Sequence, residues 1–343
     1  MVLLAAVIIW WFGRRLDWHQ VKIAVTRSDW RLIALGCVVI LLAYLWRAIR
    51  WQALLSPLTK TSLREVWIAT CVGFAAVLTI GRAGEIVRPV VLPMRDPRVK
   101  PAASIVTIMI ERLYDTMTVV ILFGLNLFWL KPVSGSDFGA ARFIGLGLLM
   151  FGAVAIVLLI VFKLRSTQII AWINRKIADG AGLRQRIKRA LLSTLEQLAT
   201  ALSVLSDIKL LATTIGWSVA LWFSVAVANL LICWAFGLQF GFSHILFILG
   251  WSMIGSAVPT PGGAAGAFHA ATAGALILLG VARDQAAAVS IVLHLVDFAP
   301  AAVFGLFYFL RGDVKFSRLR KSVSAEAVEH AVEDEQIALT SST

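Results

Sequence analysis

The chain has 343 residues but only 3 cysteines, 3 tyrosines and 9 prolines, and charged residues make up 15% of it. Cys37, Cys71 and Cys233 lie far apart, each inside an apolar run, and no Cys-x-x-Cys pair occurs. That spacing excludes a disulfide framework and a thiolate metal centre and leaves the thiols as buried packing groups. The scarcity of charge excludes an ordinary soluble domain and a disordered chain. Acid is scarcer than base: 19 Asp and Glu stand against 32 Lys and Arg, for a formal net charge of +13. In a chain that is 59% hydrophobic, with a mean hydropathy of +0.85, this excess points away from nucleic acid. It marks the cytoplasmic edges of a membrane protein and its contacts with anionic lipid.

What is abundant is long apolar sequence. A crossing needs about 20 apolar residues. Runs 32–51, 102–130, 143–162, 210–236 and 285–310 are long enough, whereas 66–80, 243–258 and 264–281 fall short. Val2–Phe12, followed by Arg14 and Arg15, lacks the features of a signal peptide and reads as the end of a first span that starts upstream of Met1. Residues 163–209 hold nine Lys and Arg and 311–321 hold five, while 237–243 hold none. The positive-inside rule therefore puts 163–209 and the C-terminus in the cytoplasm. The five basic residues of 14–31 oppose any scheme that places that stretch outside.

Two short runs end in helix breakers. Val66–Ile80 is followed by Gly81-Arg82-Ala83-Gly84-Glu85-Ile86-Val87-Arg88-Pro89, and Ser243–Val258 by Pro259-Thr260-Pro261-Gly262-Gly263. Each break, with more apolar chain after it, predicts a helix pair that enters and leaves on one face, the first from the cytoplasm and the second from outside. Such backbone survives at membrane depth only where protein or a wet cavity covers it. Paired breaks in two halves point to an inverted repeat. The expected fold is all-α and polytopic, with about six full spans plus two re-entrant pairs. Halves 1–163 and 206–312 form a transmembrane domain 1–312, joined by a cytoplasmic amphipathic segment 164–205 and followed by a charged, disordered tail 313–343. Within the linker, Leu183, Ile187, Leu191, Leu195, Leu198, Leu202 and Leu205 share one helix face, as an interfacial helix requires.

Chemistry falls to charges held inside the membrane, which normally face a cavity or a partner. Arg82, Glu85 and Arg88 recur at steps of three and share a face if that stretch is helical. Glu111 and Asp115 are four apart on one face of a long span, with Arg112 within reach of Asp115. A guanidinium grips phosphate with two parallel hydrogen bonds, so the cluster reads as an anionic-headgroup site balanced by Glu and Asp. The bland alternative is a buried ion-pair network that fixes helix register. Near the second break stand His269, then His294 and Asp297 three apart, either a proton relay or an interior hydrogen bond. Arg47, Arg50 and Trp51 end a span, where interfacial anchoring is the default and lipid phosphate contact the sharper reading.

Four motifs in order, Arg50-Trp51, the Gly81–Pro89 break, Glu111-Arg112-Leu113-Tyr114-Asp115 and Pro259–Gly263, resemble the flippase-like transmembrane domain of lysylphosphatidylglycerol synthases over roughly residues 1–312. The resemblance implies a bacterial inner-membrane protein that moves, or helps to move, lipid between leaflets. Relatives belong to aminoacyl-lipid, glycolipid, hopanoid or polyprenyl-lipid pathways. It implies substrate contacts at Arg50, Arg82, Glu85, Arg88, Glu111, Arg112, Asp115, Pro261, Gly262, Gly263 and His269. The partners expected are a membrane lipid and either a second copy or a lipid-biosynthesis enzyme, without nucleic acid, cofactor or metal. No synthase domain follows residue 312, so aminoacyl transfer by this chain is not expected. His269 stands where many relatives carry an acid. The competing readings are a membrane enzyme acting on lipid-linked substrate through His269, His294 and Asp297, or an accessory subunit of such a pathway.

Overall fold

A computed structural model describes residues 13–14, 16–130, 139–176, 207–258 and 261–312, with isolated positions between 192 and 202. Among these residues all regular structure is helical. The helices are α1 (Trp18–Arg27), α2 (Trp30–Leu55), α3 (Leu63–Ile80), α4 (Val87–Arg95), α5 (Pro101–Trp129), α6 (Gly139–Lys176), α7 (Ile208–Ala235), α8 (Phe242–Ala257), α9 (Pro261–Leu278) and α10 (Arg283–Leu310), with a 3-10 turn over Gly81–Ile86 between α3 and α4. Local chemistry sets the starts. Asp17, Asp29, Ser62 and Asp207 each accept a hydrogen bond from backbone N–H groups in the first turn of the helix that follows, and α5 opens on Pro101, which lacks the N–H that a first turn leaves unpaired.

Four helices, α2, α6, α7 and α10, are long and apolar enough to cross a membrane. With its 29 residues α5 is of similar length, but Glu111, Arg112 and Asp115 interrupt its apolar character. The expected first span, Val2–Phe12, lies outside the described residues, as do the tail 313–343 and most of the linker. α6 runs to Lys176, beyond the expected end of the first half at 163, and its helical path breaks at Arg165 (φ −127°, ψ 18°). Its flank bears Phe143, Phe151 and Leu164, more than 60% exposed, as expected of a lipid-facing surface.

The two short helix pairs are re-entrant hairpins. Glu65 at the start of α3 forms an ion pair with Arg95 at the end of α4, so both outer ends lie on one face. Between them the chain reverses at Gly81 (φ 70°). Gly84 packs so closely on α3 that a Cβ there would sit 2.4 Å from the Val77 nitrogen. In the second hairpin α8 and α9 run antiparallel, with the Ser252 and Thr272 hydroxyls 2.8 Å apart. The reversal uses Gly262, Gly263 and Ala264, all with φ between 64° and 68°.

The hairpins enter from opposite faces. Loops 56–62 and 96–100 share the face of the first, tied by the Thr59 hydroxyl donating to the Arg98 carbonyl at 3.0 Å. The second opens where α5 ends, since Asn126 Nδ2 donates to the Ser243 carbonyl at 2.8 Å. The order long helix, broken pair, long helix thus occurs twice, as α2, α3–α4, α5 and again as α7, α8–α9, α10. The long helices α2 and α7 pack antiparallel. Asp29 N–H donates to the Ala235 carbonyl at one end (2.9 Å), and Arg50 reaches the Ser218 hydroxyl toward the other (2.9 Å). Each hairpin then leans on the other half, α3 against α10 and α8 against α5, and the turn after α3 touches α9.

Candidate functional site

The site is built on α5. Glu111 and Asp115, four residues apart, project from one face, and both are buried. α2 supplies Arg47 and Arg50, three apart on the facing side. Arg47 Nη1 lies 3.2 Å from Glu111 Oε1 and 2.9 Å from Asp115 Oδ2. Arg50 Nη2 lies 3.3 Å from Glu111 Oε1 and 2.9 Å from Asp115 Oδ1. The first hairpin supplies Arg88, whose two terminal nitrogens grip both oxygens of Glu111 at 2.6 and 3.1 Å. The re-entrant turn makes that grip available, because it returns the chain at the depth of Glu111. Gly73 lets α4 pass close to α3, for a Cβ there would lie 2.6 Å from the Arg88 Cβ. The Arg88 guanidinium also sits over the Trp51 ring at 4.2 Å, and Trp51 Nε1 donates to Thr107 Oγ1 at 2.9 Å.

Three guanidiniums and two carboxylates therefore share one buried cluster. One unpaired charge at the bilayer centre costs at least about 2.5–3.5 kcal/mol on insertion scales, so the network holds only as a unit. Beside it lies a cavity of about 170 Å³, room for several water molecules. Arg47, Glu85, Arg88, Arg112 and Asp115 line it from the first half, and Asp297 and the Gly263 turn line it from the second. Aromatic rings of Tyr44, Phe74, Trp222, Phe268 and Phe298 complete the wall.

The sequence-expected residues divide. Arg50, Arg88, Glu111 and Asp115 meet in the network. Glu85 and Arg112 face each other at 4.0 Å, with side chains 36% and 40% exposed. Arg82 lies in the 3-10 turn, and its side chain, like that of Pro261, falls outside the described residues. Gly262 and Gly263 form the left-handed reversal of the second hairpin.

Three expectations are corrected. Arg82, Glu85 and Arg88 do not continue one α-helix, because the first two belong to the 3-10 turn and Arg88 to α4; Glu85 and Arg88 both line the cavity, but Glu85 faces Arg112 while Arg88 grips Glu111. Arg112 lies near enough to Asp115 to act on its charge, but its ion-pair contact, at 4.0 Å, is with Glu85. His294 and Asp297 do not bond to each other. His294 Nε2 faces the Gly263 carbonyl at 3.3 Å and its ring packs on His269 at 4.9 Å, while Asp297 Oδ1 has no hydrogen-bond partner. Arg47, read from the sequence as an interfacial anchor or a lipid phosphate contact, proves to be a member of the network. Its signal was the three-residue step to Arg50, which puts both arginines on one helix face as the four-residue step does the two acids.

Re-entrant hairpins meeting at a charged internal cavity, between oppositely oriented halves, define a multi-pass helical membrane protein with an interior site. Within that class the assignment is specific: residues 1–305 match the lysylphosphatidylglycerol synthase TM region, and the chain belongs to that family. No curated protein matches it.

Proposed function

We propose that the chain moves an anionic or modified phospholipid, or another lipid-linked molecule, between the leaflets of a bacterial inner membrane. One observation carries this reading: a cavity with room for several water molecules, framed by the tips of two opposed hairpins, abuts a buried network in which cations outnumber acids among the described residues. The headgroup enters the cavity while its acyl chains stay in the bilayer. Arg47, whose side chain is 12% exposed beside the fully enclosed Glu111, offers the phosphate a guanidinium edge. Arg88 is held by both Glu111 oxygens, so it sets the position of the network and exchanges partners only as the headgroup arrives. Rocking of one half against the other then changes which leaflet the cavity faces. The chain catalyses no covalent step in this scheme. Its partners are the lipid itself and, for delivery or removal, a second copy or an enzyme of lipid biosynthesis.

The face that holds loops 56–62 and 96–100, with Lys60, Arg98 and Lys100, is cytoplasmic on the positive-inside rule, and α10 returns the C-terminus there. The basic residues of α1 run against that rule. α1 packs on the opposite face, where the Asp17 N–H donates to Asp284 Oδ1 at 3.1 Å.

Native mass spectrometry of protein extracted with its lipids tests the site. Wild type retains anionic lipid, and Arg47→Gln, still monodisperse, retains markedly less. Equal retention by the variant moves the headgroup out of this cavity.

A further inference from the structure

Asp297 differs from the other acids of the cavity. It lines the wall from α10, in the half opposite the arginine network, and its Oδ1 is closed off from solvent without a hydrogen-bond partner. The Tyr44 hydroxyl beside it donates to the Asp297 backbone carbonyl at 2.6 Å, not to the carboxylate. The charged and titratable groups that act on this Tyr44 hydroxyl are Arg47 from α2, Cys71 from α3, Arg112 from α5 and Asp297 itself. Glu85 from the turn and Asp115 from α5 lie across the same cavity, and His269 from α9 packs on His294 one turn below. The ion pairs of the network join Arg47, Arg50 and Arg88 to Glu111 and Asp115, not to Asp297.

Charge balance gives this acid a task. Among the described side chains the network carries one net positive charge, and Glu85 and Arg112 cancel. With Asp297 ionised, the described side chains of the empty cavity sum to zero charge. A phosphodiester brings one further negative charge, and an uncompensated charge is expensive at this depth. The loaded cavity is neutral again when Asp297 carries a proton. We propose that Asp297 is a proton site coupled to the headgroup, taking up one proton for each singly anionic lipid that binds and releasing it when the lipid leaves. The inference rests on the proposed headgroup site, and it supplies the coupling ion.

The test uses the purified full chain in weakly buffered detergent with a pH-indicating dye. Short-chain phosphatidylglycerol and short-chain phosphatidylcholine are titrated in turn. Expected is an uptake approaching one proton per bound phosphatidylglycerol and none with phosphatidylcholine. Affinity for phosphatidylglycerol weakens with rising pH by up to about tenfold per unit where Asp297 is ionised. Asp297→Asn abolishes uptake and flattens that dependence, and Asp297→Glu restores both. The wild-type measurement stands even if a variant fails to fold. Binding of phosphatidylglycerol by wild type without proton uptake, or uptake that persists in Asp297→Asn, overturns the proton site and leaves the lipid site intact. Failure of wild type to bind either lipid overturns both.

Discussion

Glu111 is the residue on which the network turns. Arg47, Arg50 and Arg88 all reach it, and its own side chain is fully enclosed. Glu111→Gln leaves three guanidiniums facing Asp115 alone. Breaking a buried pair from one side costs about 3–5 kcal/mol, whereas replacing both partners with apolar groups is often close to neutral. Glu111→Gln should therefore lower the thermal stability of detergent-purified protein sharply, and the double replacement Arg88→Met with Glu111→Leu should recover much of the loss. Wild-type stability in Glu111→Gln would show that the network does not hold the helices. The acids were legible because a charge in a 29-residue helix of a membrane protein needs a partner. Arg47 was not, because an arginine near the end of an apolar run also reads as an interfacial anchor. Only the fold shows that α2 extends past it to Leu55, which places it at depth.

At the scale of elements, the hairpins depend on close backbone approaches. A Cβ on Gly84 would meet Val77 N at 2.4 Å, and one on Gly255 would meet the Ala267 carbonyl at 2.6 Å. Gly84→Ala and Gly255→Ala should each cost about 1–3 kcal/mol by overpacking, while Gly216→Ala, which meets nothing within 4 Å, should be neutral or slightly stabilising in unfolding measurements. Ala264 carries a φ of 64° without being glycine, so Ala264→Gly should relieve about 1 kcal/mol of strain. The connection between α4 and α5 has a pH signature. Hydrogen bonds from Arg98 hold the Asp96 carboxyl down from 3.8 to about 2. Because the folded value is depressed, this stabilisation is complete above 3.8 and fades as the pH falls toward 2. Protection of the 98–100 backbone amides against hydrogen exchange should fall over that interval in wild type, relative to their intrinsic exchange rates, and stay level in Asp96→Asn. Both breaks were readable because reversal at depth requires glycine or proline. The turn at Gly81–Ile86 was not, since a 3-10 segment carries no residue type that sets it apart from an α-helix, and the different partners of Glu85 and Arg88 follow only from the fold.

At the scale of the molecule, two halves of opposite orientation enclose one cavity, and neither half alone completes it. The repeat was legible in the order of long and short apolar runs. The closeness of the two long helices α2 and α7, and the way each hairpin lies on the opposite half, were not, because contacts between halves leave no period in the chain. The account stands on lipid passing through this cavity. Leaflet exchange measures that directly, with the protein reconstituted into phosphatidylcholine vesicles containing a trace of fluorescent phosphatidylglycerol and the outer-leaflet label quenched chemically. Wild type should expose inner-leaflet label to the quencher far faster than protein-free vesicles, and Arg47→Gln or a cavity-filling Val225→Trp (Val225 lines the cavity from α7), each still folded, should return the rate toward that background. Exchange by both variants at the wild-type rate would contradict a path through the cavity.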